Sequence, residues 1–126
     1  AFGRLGEFFS SESVFGIVPD IITSAKGITS GYVPLGAVLI SDRLIVELTA
    51  DDRSEVLFSN GFTYSAHPVS CAAALKNIEI MEREEIFAHV HDITPHFQAR
   101  LQELRRHEIV GDARGMGIAE MTILPT

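Results

Sequence analysis

Pro19-Asp20-Ile21-Ile22-Thr23-Ser24-Ala25-Lys26-Gly27-Ile28-Thr29-Ser30-Gly31 is the stretch from which the rest of the chain is read: an apolar run that ends abruptly on one of only two lysines in 126 residues. Ile21 to Ser24 has the length and branching of a buried strand, and the glycine after the lysine permits a sharp turn. Surface lysines normally lie among other charges. This one follows strand-forming residues, and an ammonium desolvated there would give up its proton readily. Placement alone leaves two readings open: an amine used in chemistry, or a strand lysine whose head merely reaches solvent. The chemical reading needs a carbonyl partner, because a neutral lysine amine suits Schiff-base formation.

A second apolar run, Ala37-Val38-Leu39-Ile40-Ser41, follows the loop Gly31-Tyr32-Val33-Pro34-Leu35-Gly36. Both runs read as buried strands. Continuous apolar runs without polar alternation suit strands covered on both faces, as in α/β sheets, which place their chemistry in loops at strand ends. Asp42 then reads as the N-cap of a short helix from Arg43 to Leu48, ahead of the acidic stretch Asp51-Asp52-Arg53.

Phe58-Ser59-Asn60-Gly61-Phe62-Thr63-Tyr64-Ser65 is rich in turn residues, and a long helix is expected after it, with Ser65 as cap and Pro68 in its first turn. Cys71, Ala74, Leu75, Ile78 and Met81 recur at helical spacing as one apolar face, and Glu79 and Arg83 form a surface pair. A second helical pattern runs from about Glu85 to Arg106, with Ile93, Phe97, Leu101 and Leu104 on one stripe and Pro95 marking a kink or a fresh first turn. Ile109-Val110 and Ile118 to Leu124 read as strands separated by the turn Gly111 to Gly117.

Composition narrows the function. A net charge of −7, with ten Lys and Arg in all, cannot build the basic face that nucleic acid requires. No apolar run approaches the ~20 residues of a membrane span. The single cysteine, Cys71, rules out an internal disulfide and fits a reducing compartment, so a soluble cytoplasmic protein is expected. No metal site is expected: His89 and His91 are two apart and point to roughly opposite sides of a helix. Gly115-Met116-Gly117 reads as a tight turn between strands, and Arg114 beside it as a surface charge. The N-terminus, Ala1-Phe2-Gly3-Arg4, reads like the inside of a loop, as in a piece of something longer.

The lysine segment resembles the cofactor-lysine signature of the class-III pyridoxal-phosphate aminotransferases, the omega-aminotransferases. Four further segments agree in order. Phe2-Gly3-Arg4-Leu5-Gly6 resembles the loop after the family's acidic pair, and Gly31-Tyr32-Val33-Pro34-Leu35-Gly36-Ala37 its post-lysine turn. Gly61-Phe62-Thr63-Tyr64-Ser65-Ala66-His67-Pro68 resembles its phosphate loop, and Val110-Gly111-Asp112-Ala113-Arg114-Gly115-Met116-Gly117 a later turn.

The resemblance implies an α/β fold of the fold-type-I pyridoxal-phosphate transferases. Residues 1–81 would close the large cofactor-binding domain and residues 82–126 would begin the small C-terminal domain. Lys26 would hold pyridoxal 5′-phosphate as a Schiff base. Thr63 would bind the cofactor phosphate of the neighbouring subunit in a homodimer, with Phe62 helping through its backbone. The implied reaction moves an amino group from an amine or omega-amino acid to an oxo acid, and the segments around Gly61 and Val110 look most like pyruvate-using members. A same-fold aminomutase, and a catalytically dead remnant or interaction domain, remain as alternatives. The family's ring-nitrogen aspartate and main phosphate-binding loop would lie before Ala1, so the 126-residue chain alone is expected to be inactive. Two departures stand out. Ala66 replaces a glycine, a change expected to be tolerated, and Glu120 puts a charge where the family has small or apolar strand residues.

Overall fold

The sequence condenses into two compact units, one spanning Ile17–Ile78 and one built from Ala1–Gly16 together with Glu79–Thr126. The computed structural model describes residues 2–49 and 61–124. The acidic stretch Asp51-Asp52-Arg53 and the first three residues of the loop that starts at Phe58 lie outside the described residues.

In the first unit, strand β1 (Ile21–Ala25) pairs antiparallel with β2 (Gly36–Ile40), in a register that sets Ile21 opposite Ile40 and Ala25 opposite Gly36. Both strands were expected, but not their exposure: Ile21 is 54% and Val38 62% exposed. The reason is geometric. Side chains alternate across a strand, and among the described residues no element covers the outward face of this pair, so the β-branched residues supply strand propensity without full burial.

Helix α1 (Asp42–Thr49) follows directly. The amide of Ile45 donates to the carbonyl of Ser41, which makes Ser41 the capping residue in place of Asp42. Ser41 Oγ also donates to Asp20 Oδ1 at 3.3 Å, and Arg43 pairs with the same carboxylate. Asp20 therefore ties the start of β1 to the start of α1.

Helix α2 (Pro68–Arg83) starts where expected. The Cys71 amide donates to the His67 carbonyl, so Pro68 sits at the first helical position, where its missing N–H is no loss. Ser65 does not cap it. Its Oγ instead accepts from the Phe62 amide at 3.0 Å and closes the preceding turn. The face that turns inward carries Ser70 and Ala74, both buried, whereas Leu75 is 69% exposed. The Glu79–Arg83 pair forms at 3.6 Å.

In the second unit, helix α3 (Ile86–Glu103) runs unbroken through Pro95 and tightens into a 3-10 turn at Leu104–Arg106. Its core-facing stripe centres on Val90 and Leu101, with Leu104 at the exposed end. Against it lies a hairpin of β3 (Asp112–Met116) and β4 (Ala119–Ile123), where Met116 faces Ala119. The glycine-rich segment is thus itself a strand, and Ile109-Val110 is not. The turn contracts to Gly117-Ile118, with Gly117 at φ +60, as a two-residue hairpin connection requires. Gly115 lets the hairpin approach: a Cβ there would sit 2.8 Å from Leu101 Cδ2. Gln98 Nε2 donates to Gly117 O at 2.8 Å across the same contact, and Ala113 is 1% exposed beneath it. Phe8 stacks edge-on against Phe87, with ring centres 4.6 Å apart.

Candidate functional site

The site begins where β1 stops. Ala25 is still extended, but Lys26 has φ +55, a left-handed conformation that costs a non-glycine residue on the order of 1–2 kcal/mol. Strained backbone of this kind persists only where its surroundings hold it. Here Lys26–Thr29 form a single 3-10 turn. The Gly31 amide donates to Lys26 O at 3.1 Å, and Ser30, itself at φ +52, donates to Gly27 O at 3.0 Å.

Two side chains complete the clamp. Thr29, 2% exposed, donates through Oγ1 to Val33 O at 2.6 Å and so pins the turn to the loop that leads into β2. Asn77, three turns into α2, donates through Nδ2 to Gly27 O at 3.0 Å and Ile28 O at 3.2 Å. Neither residue was singled out from the sequence. A signal was present for Asn77: it lies at helical spacing from Ala74, as a lone amide on an otherwise apolar inward face.

Lys26 itself is exposed, not desolvated as the strand reading implied, because the strand ends one residue before it and the turn carries it outward. Among the described residues its ammonium has no hydrogen bond or ion pair. It stands at the edge of a cleft of about 1020 Å³ whose lining includes Val33, Pro34 and Leu35 together with Phe62, Ser65 and His67. Of the three residues singled out in advance, the fold brings Lys26 and Phe62 to this one cleft. Thr63 lies on the same turn, exposed, outside the residues that wall the cleft, and its hydroxyl makes no hydrogen bond among the described residues. The Phe62 amide is engaged by Ser65 Oγ, so an incoming anion would share or displace that hydroxyl.

At the foot of the turn, Ala66 has φ +56. The resemblance read from the sequence put glycine at this position, and the left-handed backbone is one that glycine adopts freely and alanine does not. No group of three or more His, Cys, Asp or Glu side chains gathers as a metal site among the described residues, and no described helix is long and apolar enough to cross a membrane.

Comparison with known proteins places the chain in a family. The model of the class-III aminotransferase family matches residues 1–122. A putrescine–pyruvate aminotransferase of Pseudomonas aeruginosa is 45% identical over 118 residues, which are 93% of this chain and 25% of that protein. The crystal structure of a thermostable (S)-enantioselective omega-transaminase from Thermomicrobium roseum superposes with a TM-score of 0.83 at 41% identity, covering 98% of this chain and 27% of that one. An amine transaminase from an uncultivated Pseudomonas species, solved in its PLP-bound internal-aldimine form, superposes with a TM-score of 0.80 at 38% identity, covering 93% and 26%. The chain thus spans about a quarter of the length of the proteins it matches. The expected fold-type-I α/β architecture holds for this part of it.

Proposed function

The chain belongs to the class-III aminotransferase family, and from that premise we propose that it supplies the amine-bearing part of an active site that transfers an amino group from an amine or omega-amino acid to pyruvate. The observation that carries this reading is the Lys26 ammonium, exposed and without a partner among the described residues, held on a strained turn at the edge of a cleft shared with the hydroxyl-bearing loop 61–67.

The residues present fit pyridoxal 5′-phosphate, the cofactor its family implies. One primary amine reaches the cleft to bond an aldehyde, apolar side chains line one wall for a ring, and a turn with an unengaged threonine hydroxyl suits phosphate oxygens. When bound, that group supplies an electron sink for the substrate carbon. Lys26 would carry it covalently, and its Nζ, freed when the amino donor takes its place, would accept the proton from the substrate carbon that bears the amino group. Thr63 Oγ1 and the Phe62 amide would donate to its phosphate, in the neighbouring subunit of a homodimer. The Phe62 amide would first have to share or give up its bond to Ser65 Oγ.

On this reading, residues up to about Met81 complete the large domain and those after it begin the small one. The amine and its loop are one part of a larger site, so the 126-residue chain by itself turns over no substrate. The reading is tested with the full-length protein, by measuring alanine formed from pyruvate in the presence of a diamine or an omega-amino acid. Alanine that accumulates only with donor supports it. Isomerisation of the donor without any need for pyruvate would favour a mutase instead.

A further inference from the structure

The lysine turn is held by a side chain from a distant element, and the relationship assigns a role to that side chain. Asn77 lies 50 residues from Gly27 in sequence, yet its Nδ2 reaches both the Gly27 and Ile28 carbonyls, at 3.0 and 3.2 Å. These carbonyls belong to the second and third peptides after Lys26. Ile28 on the turn and Ala74, one turn before Asn77 on α2, are both buried. The other end of the same helix starts at His67, whose carbonyl accepts its first bond, and His67, Ser65 and Phe62 line the same cleft as the lysine. One rigid helix therefore touches both halves of the candidate site.

We propose that Asn77 is a positioning residue: through its two donated hydrogen bonds it holds Lys26 in the left-handed backbone conformation and fixes the amine relative to the loop that begins α2. The inference rests on the functional reading of Lys26. Its physical basis is that a residue at φ +55 relaxes toward ordinary backbone unless the peptides around it are restrained. The restraints internal to the turn come from the Thr29 hydroxyl and from Ser30 and Gly31, which are themselves at φ +52 and φ +79 and strained or permissive in their turn. Asn77 is the donor that comes from a regular element. Without it the Nζ position drifts, and misplacing a catalytic group by about 1 Å can cost about a hundredfold in rate.

The test uses the full-length holoenzyme and the variants Asn77→Leu, which removes the donor, Asn77→Asp, which replaces it with an acceptor facing two carbonyls, and Asn77→Ser, the smallest change should the others fold poorly. The expected result has three parts. The rate constant of the amine half-reaction falls about tenfold or more. KM for the amine and the amount of pyridoxal phosphate bound stay close to wild type. The visible circular dichroism per bound cofactor falls, since that signal reports how the lysine sets the cofactor in its chiral pocket. Wild-type dichroism and rate in all folded variants overturn the proposal, as does a lowered melting temperature with dichroism and rate unchanged, which is what a purely structural asparagine gives. Borohydride reduction separates this failure from that of the underlying reading: if the pyridoxyl group is found away from Lys26, the functional reading falls, whereas labelled Lys26 with indifferent Asn77 variants sinks only the positioning role.

Discussion

Thr29 Oγ1 lies 2.6 Å from the carbonyl oxygen of Val33, and the threonine that makes this bond is 2% exposed. The bond closes the loop after Lys26 onto itself, so that the lysine turn and the loop that leads into β2 behave as one piece. A part-buried acceptor that loses a donor retains part of the cost of its desolvation. Thr29→Val, nearly the same shape without the hydroxyl, is expected to destabilise the protein by about 1–3 kcal/mol. Equilibrium denaturation in urea measures this as a lowered midpoint, and a midpoint equal to wild type would show that the hydroxyl is dispensable.

Ala66 yields a prediction of the opposite sign. Its φ of +56 lies in the region where a Cβ meets the following carbonyl, so Ala66→Gly removes strain but adds freedom to the unfolded chain. The first effect is the larger, and the variant is expected to be more stable by about 0.5–1 kcal/mol. A drop in thermal midpoint for Ala66→Gly would mean that the left-handed conformation at this position carries no strain.

How far the sequence could be read is clearest from these residues. The strand, lysine, turn and helix were legible because local chemistry sets them: β-branched residues before Lys26, glycine after it, Pro68 at a helix start. What could not be read depends on partners far away in the chain. The exposure of Ile21 and Val38 follows from which elements cover the pair, and the exposed Lys26 from a turn that begins one residue after the strand. Likewise, Gly111 to Gly117 reads as a loop by composition, yet packing on α3 makes residues 112–116 a strand, because glycine at 115 is what allows Leu101 so close. Thr63 and Phe62 were placed on a turn, as expected, but the use of the Phe62 amide by Ser65 needed coordinates.

That close approach can be tested directly. Gly115→Ala would place a methyl 2.8 Å from Leu101 Cδ2 and 3.1 Å from Gln98 Nε2, with the backbone of Ala119 blocking retreat. Overpacking of this kind costs about 1–3 kcal/mol. Denaturation should show that loss, and Gly115→Ala with an unchanged midpoint would contradict the packing of the hairpin on α3.

The Asp20–Arg43 pair gives a pH dependence with a definite sign. The hydrogen bond from Arg43 is the main cause that holds the Asp20 carboxyl below the ordinary carboxylate range, with Ser41 adding to it. A carboxylate with a depressed folded-state pKa contributes stability above its unfolded value of about 3.9, and that contribution is lost as pH falls through the lower folded-state value. Both groups are well exposed, at 74% for Arg43 and 43% for Asp20, so the effect is small and weakens with salt. Stability measured from pH 5 down to 2 should fall less steeply in Arg43→Gln than in wild type. Identical pH profiles would show that the pair adds nothing.

The central claim is that Lys26 carries the cofactor, and the chain's only other lysine, Lys76, provides the internal comparison. Reduction of the full-length holoenzyme with borohydride, followed by digestion and mass spectrometry, reads the attachment point without reliance on turnover. The account predicts a pyridoxyl phosphate adduct on the peptide that holds Lys26 and its disappearance, together with the protein's visible absorption, in Lys26→Ala. An adduct on Lys76 or on a lysine elsewhere, or a Lys26→Ala protein with wild-type absorption, would contradict it.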